Sequence, residues 1–266
     1  MTIPRVLSVA SSDSGGGAGI QADLKAFARC GAHGMTAVVA LTAQNTLGVS
    51  AIAELPPDFI RAQIDAVLDD IGADAVKTGM LFSATAIAAV ADALAPRHLP
   101  LVVDPVMVAS SGARLLREDA VDTLVTRLFP LATVVTPNLP EAQALSRCTS
   151  EDRVVLTERI AALGAPAVLV TGGHGACPVD HLFDGASHLP IPVSRYQVAA
   201  THGSGCTHSA ALAAGLAAGL PLAEAAQQAA EIACDAVAHG LEDLGGGSGP
   251  VHALHQVPVP YHGATR

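Results

Sequence analysis

The run Arg5-Val6-Leu7-Ser8-Val9-Ala10-Ser11-Ser12-Asp13-Ser14-Gly15-Gly16-Gly17-Ala18-Gly19-Ile20-Gln21-Ala22-Asp23-Leu24 sets the fold. Its aliphatic opening over 5–10 reads as a buried strand. A polar, glycine-rich turn then leads into a helix over 17–31, with Ile20, Leu24, Phe27 and Ala28 on one face. The same unit recurs. Strands are predicted over 36–42, 73–77, 99–104, 132–136 and 167–171, and helices over 56–71, 84–94, 118–128, 139–147 and 152–163. Strand–helix alternation with continuous aliphatic strands is the pattern of a parallel sheet covered on both faces. After Gly172 the rhythm changes. Short strands over 179–183, 187–190 and 193–197 predict a small antiparallel addition, and helices over 205–219 and 222–239 close the domain. One domain is expected over 1–243, with 244–266, which holds the glycine run 245–249, as a flexible tail.

Composition narrows the function. The chain has 266 residues, half of them hydrophobic, but only five Phe and two Tyr, so the core must be aliphatic. A net charge of −10 with no basic run argues against nucleic acid as a partner, and the few aromatics argue against base-stacking platforms. Cysteines at 30, 148, 177, 206 and 234 are odd in number and widely spaced, which indicates neither a disulfide framework nor a zinc ribbon. The apolar stretch over 210–222 is too short and too glycine-interrupted to cross a membrane. The first residues lack a signal-peptide layout, and a soluble cytoplasmic protein is expected.

In an open α/β sheet, ligands bind at the carboxyl ends of the strands. Polar or glycine-rich turns fall at those ends here: Ser11–Gly19, Thr42–Asn45, Lys77–Met80, Asp104–Met107, Thr136–Glu141 and Thr171–Gly175. The first of these reads either as a ligand loop or as a plain strand–helix turn. It lacks the Gly-Lys-Ser/Thr of a Walker loop. Asp104 and Glu141 read either as a carboxylate pair that holds Mg²⁺ through water or as a turn Asp and a helix-start Glu. Lys77 reads as a solvated or capping charge without a catalytic role. Before the penultimate helix, Gly203-Ser204-Gly205-Cys206 forms a loop whose amides and helix dipole favour an anion. Cys206 falls in the first helical turn, a setting that lowers a thiol's pKa and suits a base or nucleophile. His202, Cys206 and His208 are not read as a zinc or Cys–His site, because no orienting carboxylate or fourth ligand stands nearby in sequence.

These segments, in this order, resemble the hydroxymethylpyrimidine/phosphomethylpyrimidine kinases of thiamine biosynthesis, within the ribokinase-like superfamily. The motifs that carry the resemblance are residues 12–25, Leu41-Thr42-Ala43-Gln44-Asn45-Thr46, Val76-Lys77-Thr78-Gly79-Met80-Leu81, Val103-Asp104-Pro105-Val106-Met107, residues 136–142 and residues 201–207. The resemblance implies a three-layer α/β/α fold with a central, mostly parallel sheet and a small antiparallel addition. It implies transfer of the γ-phosphoryl group of ATP to 4-amino-5-hydroxymethyl-2-methylpyrimidine, giving the monophosphate and then the diphosphate. Carried over residue by residue, Cys206 is the general base, and Gly203, Ser204 and Gly205 form the anion hole. Asp23, Gln44 and Met80 line the pyrimidine pocket, Val106 or Met107 packs on the ring, and Ser11 narrows the pocket floor. Thr171, Gly173 and Thr201 fall on the nucleotide side, and Asp104 and Glu141 act around Mg²⁺. A homodimer is expected.

Several positions depart from the family pattern. Thr171 stands where a lysine is usual, which removes an ammonium near the phosphates. The flap segment Ala109-Ser110-Ser111-Gly112-Ala113 lacks two usual charges, Ala200 replaces an Asn or Asp, and His208 replaces an apolar residue. Two further readings follow from the same residues: a pyridoxine/pyridoxal kinase, and a low-activity pyrimidine-binding protein.

Overall fold

The computed structural model describes residues 2–108, 115–173 and 178–255. The first strand, β1 (Arg5–Asp13), leads through the glycine turn into α1 (Gly19–Arg29) and then into β2 (His33–Asn45). β3 (Gly48–Glu54), α2 (Pro57–Asp70), β4 (Ala75–Thr78), α3 (Ala84–Leu94) and β5 (Leu101–Val103) follow. Residues 118–131 form a patchwork: a 3-10 turn, the short α4 (Val121–Thr123), a π turn over Leu124–Leu128 and a second 3-10 turn over Phe129–Leu131. Then come β6 (Val134–Val135), α5 (Leu139–Ser146), α6 (Arg153–Ala161), β7 (Val168–Val170), β8 (Val179–Phe183), β9 (His188–Pro192), α7 (Ser204–Ala217) and α8 (Leu222–Ala238).

The strands make one nine-stranded sheet in the order β3-β2-β1-β4-β5-β6-β7-β8-β9. From β2 to β7 the pairing is parallel. The edges β3, β8 and β9 are antiparallel, so the sheet is the mostly parallel one expected. Alternate residues of β1 feed opposite faces. Leu7 and Val9 pack with α2, α3, α5 and α6, whereas Val6 packs with α1, α7 and α8. This gives three layers with an aliphatic core on each side of the sheet. The α7 side is rich in alanine, with Ala210, Ala211, Ala213, Ala225, Ala226 and Ala229 buried, so α7 can lie close to the strands and to α8.

β1 is flanked by β2 on one side and β4 on the other, so chain order reverses there. Loops leaving β1 and β4 diverge at that point and open a crevice at the carboxyl edge.

Two expectations are corrected. The predicted strand over 193–197 does not form, and β9 instead runs His188–Pro192. The glycine run expected to be a flexible tail is packed against the domain. Gly247 donates its N–H to Thr46 Oγ1 at 3.2 Å, and a Cβ there would stand 2.0 Å from the Thr46 carbonyl oxygen. His202 bridges to Pro250, and Val251 and Ala253 are buried beside Ala236. The glycines therefore serve close backbone approach. The predicted flap over 109–113 and residues 256–266 of the expected tail lie outside the described residues.

Candidate active site

The carboxyl ends of β1, β2, β4, β5, β6 and β7 converge with the start of α7 around one cleft of about 180 Å³. Of the residues predicted from sequence, Ser11, Gln44, Met80, Asp104, Val106, Glu141, Thr171, Gly173, Gly203, Ser204, Gly205 and Cys206 all line it.

The anion loop is built by a close backbone crossing. Gly203 caps α7 with φ 81°, and a Cβ there would lie 1.8 Å from the Gly17 carbonyl oxygen. The two glycine loops therefore touch, and only glycine fits at position 203. Ser204, Gly205 and Cys206 make the first turn of α7, where backbone N–H groups lack helical partners. A second brace crosses the same junction. Asp13 accepts the N–H groups of Gly15, Gly17 and Ala18 at 2.8, 3.0 and 2.8 Å. Its Oδ2 also lies 3.0 Å from His202 Nε2. Burial would raise the Asp13 carboxyl, but these donors, His202 first, hold it below the ordinary range. His202 also stands 3.2 Å from Gln44 Nε2, and Thr42 donates to Gln44 Oε1 at 3.0 Å, which fixes the amide on the cleft wall.

Three predicted residues do not line the cleft. Asp23, placed in the pyrimidine pocket by the resemblance, is wholly buried on α1 and accepts from Ser8 Oγ at 2.5 Å and Lys77 Nζ at 2.9 and 3.0 Å. Met107 turns its side chain into the core, while its N–H donates to Glu141 Oε1 at 3.2 Å; Val106 is the lining residue. Thr201 is exposed, and its carbonyl accepts the Ser204 N–H that closes the turn before α7.

Lys77 is corrected in the other direction. It is fully buried at the end of a central strand and lines the cleft. Burial opposes its charge, but Asp23, then Cys206 and Asp104, push its pKa above the ordinary lysine range. It stands at the floor of the site with its ammonium on the Asp23 carboxylate. The Cys206 thiol is also corrected. Helix position predicts a lowered pKa, yet burial pushes it up to about 12, with Asp23 and Asp104 adding to the rise. Lys77 and the Gly19 N–H act against that rise.

Asp104 and Glu141 do come together. Asp104 accepts from Ser209 Oγ at 2.8 Å, and burial raises its carboxyl. Glu141 completes a capping box with Asn138 at the start of α5, so it is the helix-start Glu of the second reading. Burial first and the neighbouring Asp104 second push Glu141 up to about 8, against the N–H groups of Asn138 and Met107. Two buried carboxylates, Asp104 raising the proton affinity of Glu141, form a donor set that a hard divalent cation suits.

The comparisons agree with this geometry. The family model for phosphomethylpyrimidine kinase matches residues 13–252. The chain belongs to the phosphomethylpyrimidine kinase family. It is 48% identical to the hydroxymethylpyrimidine/phosphomethylpyrimidine kinase of Rhizobium meliloti, over 94% of this chain and 97% of that one. Among solved structures, the pyridoxal kinase of Bacillus subtilis in complex with ADP superimposes with TM-score 0.87 at 37% identity, over 97% of this chain and 100% of that one. The phosphomethylpyrimidine kinase of Clostridium difficile gives 0.76 at 38%, over 86% and 97%. As a member of this family, the chain has the ribokinase-like three-layer fold, and no helix among its described residues is long and apolar enough to cross a membrane.

The residues that sequence reasoning passed over are Lys77, Asp13, His202 and His208, all of which line the cleft. Asp13 had a legible signal: an Asp just before three glycines is placed to accept successive backbone N–H groups.

Proposed function

We propose that this chain transfers the γ-phosphoryl group of ATP to the hydroxymethyl group of 4-amino-5-hydroxymethyl-2-methylpyrimidine, and then phosphorylates the monophosphate to the diphosphate. The carrying observation is one cleft with a glycine anion loop and a thiol at one side and a buried carboxylate pair at the other. The names of the relatives support the pyrimidine as substrate.

Cys206 acts as the general base and takes the proton of the attacking hydroxyl. That role needs the thiolate. Lys77 and the Gly19 N–H favour it, while burial, Asp23 and Asp104 oppose it. Gly203 and Gly205 offer N–H groups to the charge on the transferring group, while the N–H of Ser204 between them is held by the Thr201 carbonyl. Gln44, its amide held by Thr42 and adjacent to His202, offers a donor and an acceptor to an aminopyrimidine edge, and Met80 and Val106 supply apolar contact with the ring. Ser11 turns its hydroxyl to the Met80 carbonyl at 2.9 Å and so sets the pocket floor. Thr171 and Gly173 border the nucleotide side. Asp104 and Glu141 would hold Mg²⁺. When bound, the ion neutralises phosphate charge during transfer.

A second activity is favoured by the superposition on pyridoxal kinases: phosphorylation of pyridoxal, another flat heteroaromatic alcohol. The described cysteines are all free, which suits a reducing cytoplasm. Leu41 and Leu47, exposed on the β2–β3 arm, support a homodimer. Steady-state ADP release tests the substrate assignment: kcat/KM for the hydroxymethylpyrimidine is expected to exceed that for pyridoxal at least tenfold, and a preference for pyridoxal would reverse it.

A further inference from the structure

Gln44 lines the cleft where the β2–β3 register slips, and its main chain is tied to the glycine turn. Ser14 Oγ donates to the Gln44 carbonyl at 2.7 Å, and the Gln44 N–H donates to Ser14 Oγ at 2.8 Å. Only the side chain is left to turn. Its amide lies between two groups whose protons can be counted. On one side, His202 Nε2 stands 3.2 Å from Gln44 Nε2 and 3.0 Å from Asp13 Oδ2. Asp13 accepts three backbone N–H groups, which favours its ionised form, and a carboxylate only accepts. His202 Nε2 therefore carries a hydrogen, and an N–H cannot accept from the amide NH₂ that faces it. On the other side, the Thr42 hydroxyl has one proton and two acceptors at 3.0 Å, the Ser12 carbonyl and Gln44 Oε1.

A half-turn of the amide exchanges its oxygen and nitrogen and removes both mismatches. Oε1 then accepts from His202 Nε2–H, shared with Asp13. Gln44 Nε2 donates to Thr42 Oγ1, whose own proton goes to Ser12. One lone pair of Oε1 and one N–H of Nε2 are left for a ligand, the acceptor on the His202 side and the donor on the Thr42 side. The imidazole cannot follow a turning amide. A Cβ at Gly17 would stand 2.4 Å from His202 Cδ2, and the His202 main chain is bonded to Gly249 and Val251.

We propose that His202, clamped by Asp13, is a positioning residue that holds the Gln44 amide with Oε1 toward the imidazole, and so selects a heteroaromatic alcohol that carries an amine beside a ring nitrogen. The amine donates to Oε1 and the ring nitrogen accepts from Nε2. Pyridoxal has no amine beside its ring nitrogen and leaves Oε1 unmet. This rests on the pyrimidine reading given above and adds the source of its selectivity.

Steady-state kinetics with 4-amino-5-hydroxymethyl-2-methylpyrimidine and with its analogue lacking the 4-amino group test it. In wild type the amine is expected to raise kcat/KM about tenfold or more, the scale of one hydrogen bond. His202→Leu, which has no donor, is expected to abolish most of that preference through KM, with kcat little changed. His202→Gln, which keeps an N–H for Asp13 and the amide, is expected to retain it. In a Gln44→Leu background, His202→Leu is expected to change the preference no further, because it acts through the amide. Nitrogen NMR of wild type needs no variant and is expected to show a hydrogen on His202 Nε2. A bare Nε2 overturns the proposal, as does an unchanged preference in folded His202→Leu or a further change in the Gln44→Leu background. Failure of wild type to phosphorylate either substrate overturns the pyrimidine reading and this assignment with it.

Discussion

Replacing Lys77 with methionine probes the floor of the site. The substitution keeps most of the side-chain volume but removes the ammonium that both oxygens of Asp23 bind at 2.9 and 3.0 Å. Both residues are fully buried, so solvent cannot take over the role. Asp23 would keep only the Ser8 hydroxyl. Breaking one side of a buried pair costs about 3–5 kcal/mol, a large share of the roughly 5–15 kcal/mol by which a domain is stable. In a chain of this size that loss lowers Tm by about 10 °C. The sign of the pH dependence follows from Asp23. Burial already raises its pKa even with Lys77 present. Without Lys77 the rise is larger, so the folded state holds a proton that the unfolded state releases. Stability of the variant is fullest below the ordinary carboxyl pKa and is lost as pH rises through the raised folded value. Denaturant unfolding at pH 5.5 and 8.0 reads both quantities, with the larger loss expected at pH 8.0. Lys77→Met/Asp23→Leu is expected to recover most of the stability. A loss below about 1 kcal/mol for the single variant, or a double variant no more stable than the single one, would refute the buried-pair reasoning.

Other perturbations read other parts of the site. Cys206→Ser is expected to lower kcat by about 10²–10⁴-fold with little change in KM, and to abolish a rise of kcat/KM with pH between 7 and 9 that follows from a thiol pushed up to about 12; a flat wild-type profile contradicts this. Glu141, pushed up to about 8, favours folding most below its ordinary value of 4.5, and that contribution is lost as pH rises to about 8. Glu141→Gln should therefore flatten the decline of Tm between pH 5 and 8.5 and remove the extra stabilisation expected from Mg²⁺ in wild type at the upper end, both read by calorimetry. Gly203→Ala forces a Cβ onto the Gly17 carbonyl, so kcat/KM should fall about 10²-fold through misplacement of the loop while circular dichroism shows a folded protein.

Much of this architecture was legible because it rests on local pattern. The aliphatic strands alternate with helices of clear periodicity, and α3 and β8 form over the residues predicted. Elements that depend on distant partners were not. β3 has no buried residue, and exists because β2 extends to Asn45 and offers it an edge. The helix predicted over 118–128 is α-helical only over Val121–Thr123, with 3-10 and π turns on either side, and Pro130 removes a backbone donor in the last turn. Lys77 read as a surface charge because its strand end looked like any other. Its counter-charge comes from 54 residues away, on a helix packed over the sheet centre. The glycine run 245–249 read as flexible because composition alone cannot show that Thr46 lies against it. In the site itself, residue types at strand ends were readable. The directions of side chains, which moved Asp23 and Met107 out of the cleft, were set by packing.

The most direct test is mass spectrometry of products formed from Mg·ATP and 4-amino-5-hydroxymethyl-2-methylpyrimidine by wild type and by Cys206→Ala. The account predicts mono- and diphosphate from wild type and loss of both in the variant. Absence of phosphorylated pyrimidine from the wild-type reaction would contradict it.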